Sequence, residues 1–432
     1  MSMDAKTLYE LLNKIIDSHQ IEEICLLPYQ NALSKDQYYP FLLIGSNLGI
    51  PLEHLHKIFK QAHGIFMNLY VDRNQGYSND KLIAYINNDD KEAIELIKQS
   101  TRCLLLLNPD FYTATNARKK LILNNLLDPS EELKFINLIF TFPKHTKNST
   151  IWHHRKWIIS NIISRHQSDN KFDITVLFRL EIPIIQRVVE LYPKNYYAWT
   201  HRHWIISQLP IDSSLSLSFL DDELLNMEKW VRANVSDHSG FHHRQLCLLK
   251  KSQFYNSTIV NFLGISRDNL LGQPLVLENL SYTKMDQIIL LWFNEIRFTR
   301  DLILRYPGHE TLWYNLRFLS TIWKWLSFLG HIHPIDSKNI EPYEDGENIV
   351  LNLWPGFEND LEFSRYCILM NSDVDDEHVT LQKRSAIAYE LWISELHGAS
   401  KNNLDSLISK LAEIAPESNY YLCRNLSFHG TK

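Results

Sequence analysis

Apolar positions along this 432-residue chain recur at helical rather than strand spacing. Trp199 and Ile206 lie seven apart and share one face at 100° per residue, while Trp204, five residues on from Trp199, points about 140° round the helix. A helix with bulky apolar groups on two separated faces is sandwiched. That suits the second helix of a hairpin wedged between its own partner and the next repeat. The pattern predicts helices over residues 5–18, 51–68, 79–107, 131–142, 152–166, 176–191, 199–208, 219–233, 241–253, 285–305, 313–329, 359–371, 379–396 and 403–414. A strand-like segment stands at 22–27. Irregular insertions are expected near 254–284, where Gly264, Gly272 and Pro274 fall among many Asn and Ser, and at 331–358, with three prolines and the acidic run 341–347.

The stretch Tyr192-Pro193-Lys194-Asn195-Tyr196-Tyr197-Ala198-Trp199-Thr200-His201-Arg202-His203-Trp204 has copies. Upstream, Trp152-His153-His154-Arg155-Lys156-Trp157-Ile158-Ile159 repeats its core without a gap; downstream, Tyr306-Pro307-Gly308-His309-Glu310-Thr311-Leu312-Trp313 repeats its turn. Weaker copies run from Asn108-Pro109 to Arg118 and from Val235 to Arg244. The arginine slots at 118, 155, 202, 244 and 316 leave gaps of 37, 47, 42 and 72 residues, the last lengthened by the first insertion. That period is the period of stacked helical hairpins. Pro193 ends the helix before it, and Asn195 stands where an N-cap would accept from unpaired backbone donors. The fold class expected is all-α, a right-handed α-α solenoid. Residues 1–100 would form an N-terminal helical region, 101–330 the repeats, and 359–432 the last helices with a degraded capping repeat.

Composition narrows the function classes. Only 13 glycines in 432 residues disfavour a β-sandwich or a doubly wound sheet, and most of the 11 tryptophans fall inside repeat helices, where core packing explains them. Net charge is −6, so no general basic field holds nucleic acid or an anionic membrane. Five scattered cysteines without a Cys-x-x-Cys pair fit a reduced, cytoplasmic protein with neither a disulfide framework nor a zinc clip. The first residues lack the basic-then-apolar order of a signal peptide, and no apolar run reaches the length of a bilayer span. The last residues carry no prenylation box, so no lipid anchor of that kind is expected.

The Pro-Lys-Asn-Tyr-Tyr-Ala-Trp-x-His-Arg-x-Trp pattern resembles the repeat of protein prenyltransferase α subunits, and it recurs in register over about residues 100 to 320. More narrowly, residues 104–111, 235–242 and 306–313 resemble the repeat-containing branch of that family, the α subunit of type III geranylgeranyltransferase. The resemblance implies a helical crescent around a β subunit shared with Rab geranylgeranyltransferase. Zinc and the isoprenoid cavity would belong to that β subunit, with no cofactor bound by this chain. It also implies geranylgeranyl transfer to a protein cysteine, as on a SNARE that already carries a farnesyl group.

In the family, residues of the Lys-Asn-Tyr-x-x-Trp turns reach the diphosphate. Counting back from Trp152 puts Lys147 in the lysine slot and Ser149 in place of the tyrosine; counting back from Trp199 gives Lys194, Asn195, Tyr196 and Tyr197, where Tyr197 stands at the histidine position of farnesyltransferase. Pro143 lies nine residues before Trp152 rather than six, so Lys144 is the alternative if three residues bulge out. Trp152, Trp157, Trp199, Trp204 and Trp313 read as repeat core, and Arg155, Arg202 and Arg244 as partly buried donors joining neighbouring hairpins through carbonyls or carboxylates. Leu316, Thr115 and Phe241 depart from the Arg and Trp slots. The histidines at 153, 154, 201, 203, 242 and 243 suggest no metal site, because adjacent helix residues point about 100° apart. The competing reading is a tetratricopeptide-like adaptor that kept the scaffold and lost the chemistry, or the α subunit of farnesyltransferase or type I geranylgeranyltransferase.

Overall fold

The computed structural model describes residues 3–28, 37–72, 76–77, 80–166, 172–255, 282–328, 354–369 and 377–414. Most of both expected insertions, and the expected capping repeat after residue 414, lie outside them. The chain divides into two compact units, Met1–Ile205 and Ile206–Lys432, with the boundary inside one helix. The described residues form sixteen α-helices and five short strands, an all-α array of helical hairpins.

The first unit opens with α1 (Ala5–Ser18), whose first turn is capped by Asp4 accepting from Thr7 N at 2.7 Å. Strands β1 (Glu23–Leu27), β2 (Leu42–Ile44) and β3 (Asn47–Pro51) form a sheet in the order β1-β3-β2, with β1 parallel and β2 antiparallel to β3. The sequence reading missed this sheet except for its first strand. Leu48 and Ile50 turn into the core, and α2 (Leu52–Tyr70) leaves directly from β3. A second ribbon pairs β4 (Val71–Asp72) with β5 (Gly76–Tyr77).

The expected helix over 79–107 is two helices, α3 (Asp80–Asn87) and α4 (Lys91–Leu107). The break is built by Asp89, held at φ 51, and by Asp90, which caps α4 by accepting from Ala93 N at 3.0 Å. Aspartate tolerates the left-handed region and competes for backbone donors, so it ends one helix and starts the next. The array then runs through α5 (Tyr112–Leu123), α6 (Pro129–Ile139), α7 (Ser149–Arg165), α8 (Ile174–Leu191) and α9 (Tyr196–Gln208). Asp128 caps α6 with Pro129 in its first turn, where a missing N–H costs nothing.

The second unit contains α10 (Ser214–Ala233), α11 (His238–Tyr255), α12 (Tyr282–Arg305), α13 (Glu310–Phe328), α14 (Phe357–Leu369), α15 (Glu377–Leu396) and α16 (Lys401–Ile414). Consecutive helices pair as hairpins, α10 with α11, α12 with α13 and α14 with α15. Trp152, Trp199 and Trp313 are buried, whereas Trp157 and Trp204 are half-buried. The two tryptophans of one repeat helix therefore serve opposite sides, the first filling the core and the second capping a seam. Thr115 and Phe241, which stand where other repeats have tryptophan, are buried too.

Candidate functional site

The repeat helices α7 and α9 each begin at an asparagine that closes the first turn and ties it to an earlier turn. Asn148 Oδ1 accepts from Ile151 N at 3.0 Å, and its Nδ2 donates to Asp110 Oδ1 at 2.6 Å. Asn195 Oδ1 accepts from Tyr197 N at 3.1 Å and Ala198 N at 3.2 Å, and its Nδ2 donates to Thr146 O at 2.8 Å. Trp152 Nε1 donates to the same carbonyl at 2.7 Å. Asn148 and Asn195 are thus equivalent caps, and the three additional residues of the earlier turn form a 3-10 turn, His145–Lys147, before the cap. Lys147 stands directly before its cap as Lys194 does, whereas Lys144 stands directly after its proline as Lys194 does.

Lys144 and Lys147 are exposed, and Lys147 Nζ sits 3.8 Å above the centre of the Tyr192 ring. A cation over a tyrosine face is held without being neutralised. Lys194 is exposed at φ 62, a conformation that glycine adopts at the matching position of a later turn, Gly308 at φ 86. Tyr196 is exposed and Tyr197 half-buried, their rings edge to face at 5.4 Å. The structure thus brings Lys147 against the Tyr192-to-Asn195 turn, while Lys144 stands at the start of the 3-10 turn. His145, burial pressing it down against the opposing Asp110, titrates at about 4 and is neutral near pH 7.

Behind these turns runs a ladder of buried charge. Arg155 forks onto Glu181, Nε to Oε2 and Nη2 to Oε1 at 2.7 Å each, and its Nη1 reaches Asn137 Oδ1 at 2.7 Å. His201 Nε2 lies 3.1 Å from the same carboxylate. One hairpin earlier, Glu132 holds Arg118 Nε at 2.8 Å and His154 Nε2 at 2.8 Å; in the second unit, Glu223 holds His243 at 2.8 Å and Glu295 holds Arg244 at 2.7 Å. An ionised carboxylate only accepts, so each histidine donates from Nε2. In His154-Arg155 and in His243-Arg244 the histidine bonds the glutamate of its own hairpin and the arginine that of the next. Burial drives Glu132 and Glu181 upward, and the facing arginines together with the hydrogen bonds outweigh it, leaving both carboxyls at about 2. His154 and His201 are pushed down by burial.

The carbonyl-or-carboxylate reading of the arginines is met at Arg155 and Arg244, whose Nη1 atoms also reach Leu133 O and Leu224 O; Arg202 Nη1 donates to Gln186 Oε1 at 3.2 Å. The glutamates were missed, though their spacing of 22, 20 and 20 residues before His154, His201 and His243 was a usable signal. At α13 the pair becomes Asn315-Leu316: Asn315 donates to Thr299 Oγ1 at 2.9 Å and Leu316 is buried among apolar groups. The contact from α12 to the next hairpin is instead Arg300 to Asp360, 2.7 Å apart. Among the described residues no group of histidine, cysteine, aspartate or glutamate could hold a metal ion, and no helix is long and apolar enough to cross a membrane.

Comparison with known proteins agrees with this architecture. The family model "Protein prenyltransferase alpha subunit repeat" matches residues 129–162, 178–209, 220–251 and 292–323, one hairpin each. A human protein named protein prenyltransferase alpha subunit repeat-containing protein 1 is 30% identical over 326 residues, spanning 71% of this chain and 75% of that protein. Its counterpart from Danio rerio is 29% identical over 326 residues, 73% of this chain and 71% of the relative. A more distant relative, the geranylgeranyl transferase type-2 subunit alpha of Candida albicans, is 21% identical over 265 residues, covering 58% of this chain and 66% of its own length. The chain belongs to the family of protein prenyltransferase alpha subunit repeat-containing proteins.

Proposed function

We propose that this chain is the α subunit of a heterodimeric protein geranylgeranyltransferase, acting with the β subunit of Rab geranylgeranyltransferase on a protein cysteine such as that of a farnesylated SNARE. The observation that carries the reading is Lys147, exposed and cation-π stacked on Tyr192, in a turn whose helix amides are organised by an asparagine cap. When a carbon to oxygen bond breaks, the leaving diphosphate gathers negative charge. A fixed ammonium beside it stabilises the transition state more than the ground state, and a helix N-terminus adds oriented donors. In the neighbouring turn Tyr197 is assigned to catalysis beside Lys147, or Lys144 in its place, and Lys194, Asn195 and Tyr196 to contact with the diphosphate of the substrate. Zinc, which activates the thiol, is assigned to the β subunit, as the resemblance to prenyltransferase α subunits implies. The geranylgeranyl transferase named among its relatives supports the twenty-carbon donor.

The second reading is an adaptor without chemistry, favoured by Ser149 in the tyrosine slot beside Lys147. Purified heterodimer in single-turnover geranylgeranylation separates them. Lys147→Ala should bind the β subunit normally yet react roughly ten to a thousandfold more slowly, whereas Lys144→Ala should react like wild type. Unchanged rates in both variants and their double would leave the adaptor.

A further inference from the structure

The charges of this chain are sorted by layer. Helices α5, α7, α9 and α11, the second helices of their hairpins, contain no aspartate or glutamate, although the sequence holds 50 of them in 432 residues. Their cations include Arg118, Lys119, Arg155, Lys156, Arg165 and Arg244. The unbroken run 133–168, including the turn with Lys144 and Lys147, has no carboxylate either. The first helices α6 and α10 carry the opposite bias, with Glu131 and Glu132 on α6 and Asp221, Asp222, Glu223 and Glu228 on α10.

Part of the positive charge is spent inside the array, where Arg118 and Arg155 are paired with Glu132 and Glu181. Lys119 on α5 is half-buried and Lys156 on α7 is exposed. Lys119 Nζ lies 5.4 Å from the centre of the Trp157 ring, and Lys156 Nζ lies 5.0 Å from that of Trp204. Each lysine thus roofs the half-buried tryptophan of the following repeat helix, so cation and indole alternate from α5 to α7 to α9. Neither lysine is in a salt bridge among the described residues. Such a strip combines prearranged side chains, which lose little entropy on docking, with tryptophans of the kind enriched at interface centres, while its lysines supply charge for electrostatic complementarity. In a chain of net charge −6, a layer free of carboxylates repels nothing acidic and attracts it locally.

We infer that the Lys119–Trp157–Lys156–Trp204 strip docks an acidic surface of the β subunit. The inference rests on the heterodimer proposed above and adds the face used and the charge of its complement. It follows that association is salt-sensitive and that its sensitivity depends on these two lysines.

The test uses the full chain with the purified β subunit and measures Kd and its salt dependence, with thermal melting as the check on folding. Lys119→Glu/Lys156→Glu should raise Kd by about tenfold or more and flatten the salt dependence. The same charge change at exposed positions away from the strip, Lys60→Glu/Lys229→Glu, should change Kd less than about twofold. Lys119→Arg/Lys156→Arg should bind like wild type. If the glutamate pair melts early, Lys119→Gln/Lys156→Gln is expected to lose affinity in the same direction. Wild-type affinity in the folded glutamate or glutamine variant overturns the inference and leaves the heterodimer standing. Failure of the wild-type chain to bind the β subunit at any salt overturns both. A third arm uses phosphatidylserine vesicles: binding that the glutamate pair abolishes while β-subunit affinity is untouched would make the strip a membrane face and overturn the inference.

Discussion

At the scale of single residues, the strongest commitments are the buried glutamates. Glu181 is 2% exposed and receives Arg155 and His201, so Glu181→Ala leaves a guanidinium buried without its counter-ion. The expected loss is about 3–5 kcal/mol in urea unfolding; a change below about 1 kcal/mol would mean water reaches Arg155 in the variant. Gly308 makes a different commitment. At φ 86, with a built Cβ 2.9 Å from His378 O, it tolerates no side chain, and Gly308→Ala should cost about 1–3 kcal/mol in the same measurement. Lys194, a residue with a side chain, adopts the same backbone region at the equivalent turn, at φ 62.

At the scale of the element, the repeat helix is defined by its cap and its two tryptophans. Trp199 is 2% exposed, so Trp199→Ala should cost about 3–5 kcal/mol through lost contacts and the cavity left behind. A variant melting like wild type would contradict the sandwiched helix. Asn195 has a double role, capping α9 and bonding Thr146 O across to the previous turn. Asn195→Ala should therefore cost about 1–2 kcal/mol, more than an exposed cap. Both effects belong to folding, and both distinguish the scaffold from Lys147, whose side chain stands in solvent over Tyr192.

Across the whole molecule, acid should act through groups in many hairpins at once. Burial is the leading cause holding His54, His145, His154, His201 and His242 below the ordinary histidine value. A depressed histidine pKa means the unfolded chain binds protons that the folded chain refuses. The stability this represents is complete above about pH 6.5 and declines as pH falls through the lower folded values. Glu132 and Glu181 follow with the carboxylate sign: their contribution is present above about 4.5 and lost as pH falls toward about 2. The melting temperature should therefore fall steadily from pH 7 to pH 5 and more steeply below. A flat profile from 7 to 5 would show that the histidines are solvated.

Much of this protein was legible from the chain alone, because helical periodicity and capping are local. The backbone hydrogen bonds that make a helix span four residues, so a window around Trp199 or Asn195 already contains its own explanation. The equivalence of Asn148 and Asn195 as caps, and the burial of Trp152 and Trp313, were readable for the same reason. Three things were not. The β1-β3-β2 sheet pairs strands across a long connection, which short apolar runs do not announce. Which carboxylate meets Arg155 depends on stacking: Glu181 lies 26 residues away on the next hairpin, while Glu131 and Glu132 are closer in sequence and Glu190 lies on the same helix as Glu181. The lysine-over-tryptophan strip exists only once α5, α7 and α9 lie side by side. The sequence by itself determined each hairpin and its caps, since those rest on contacts within a few turns of chain. The tertiary structure alone decided the partners across hairpins, since they rest on the register in which one hairpin stacks on the next.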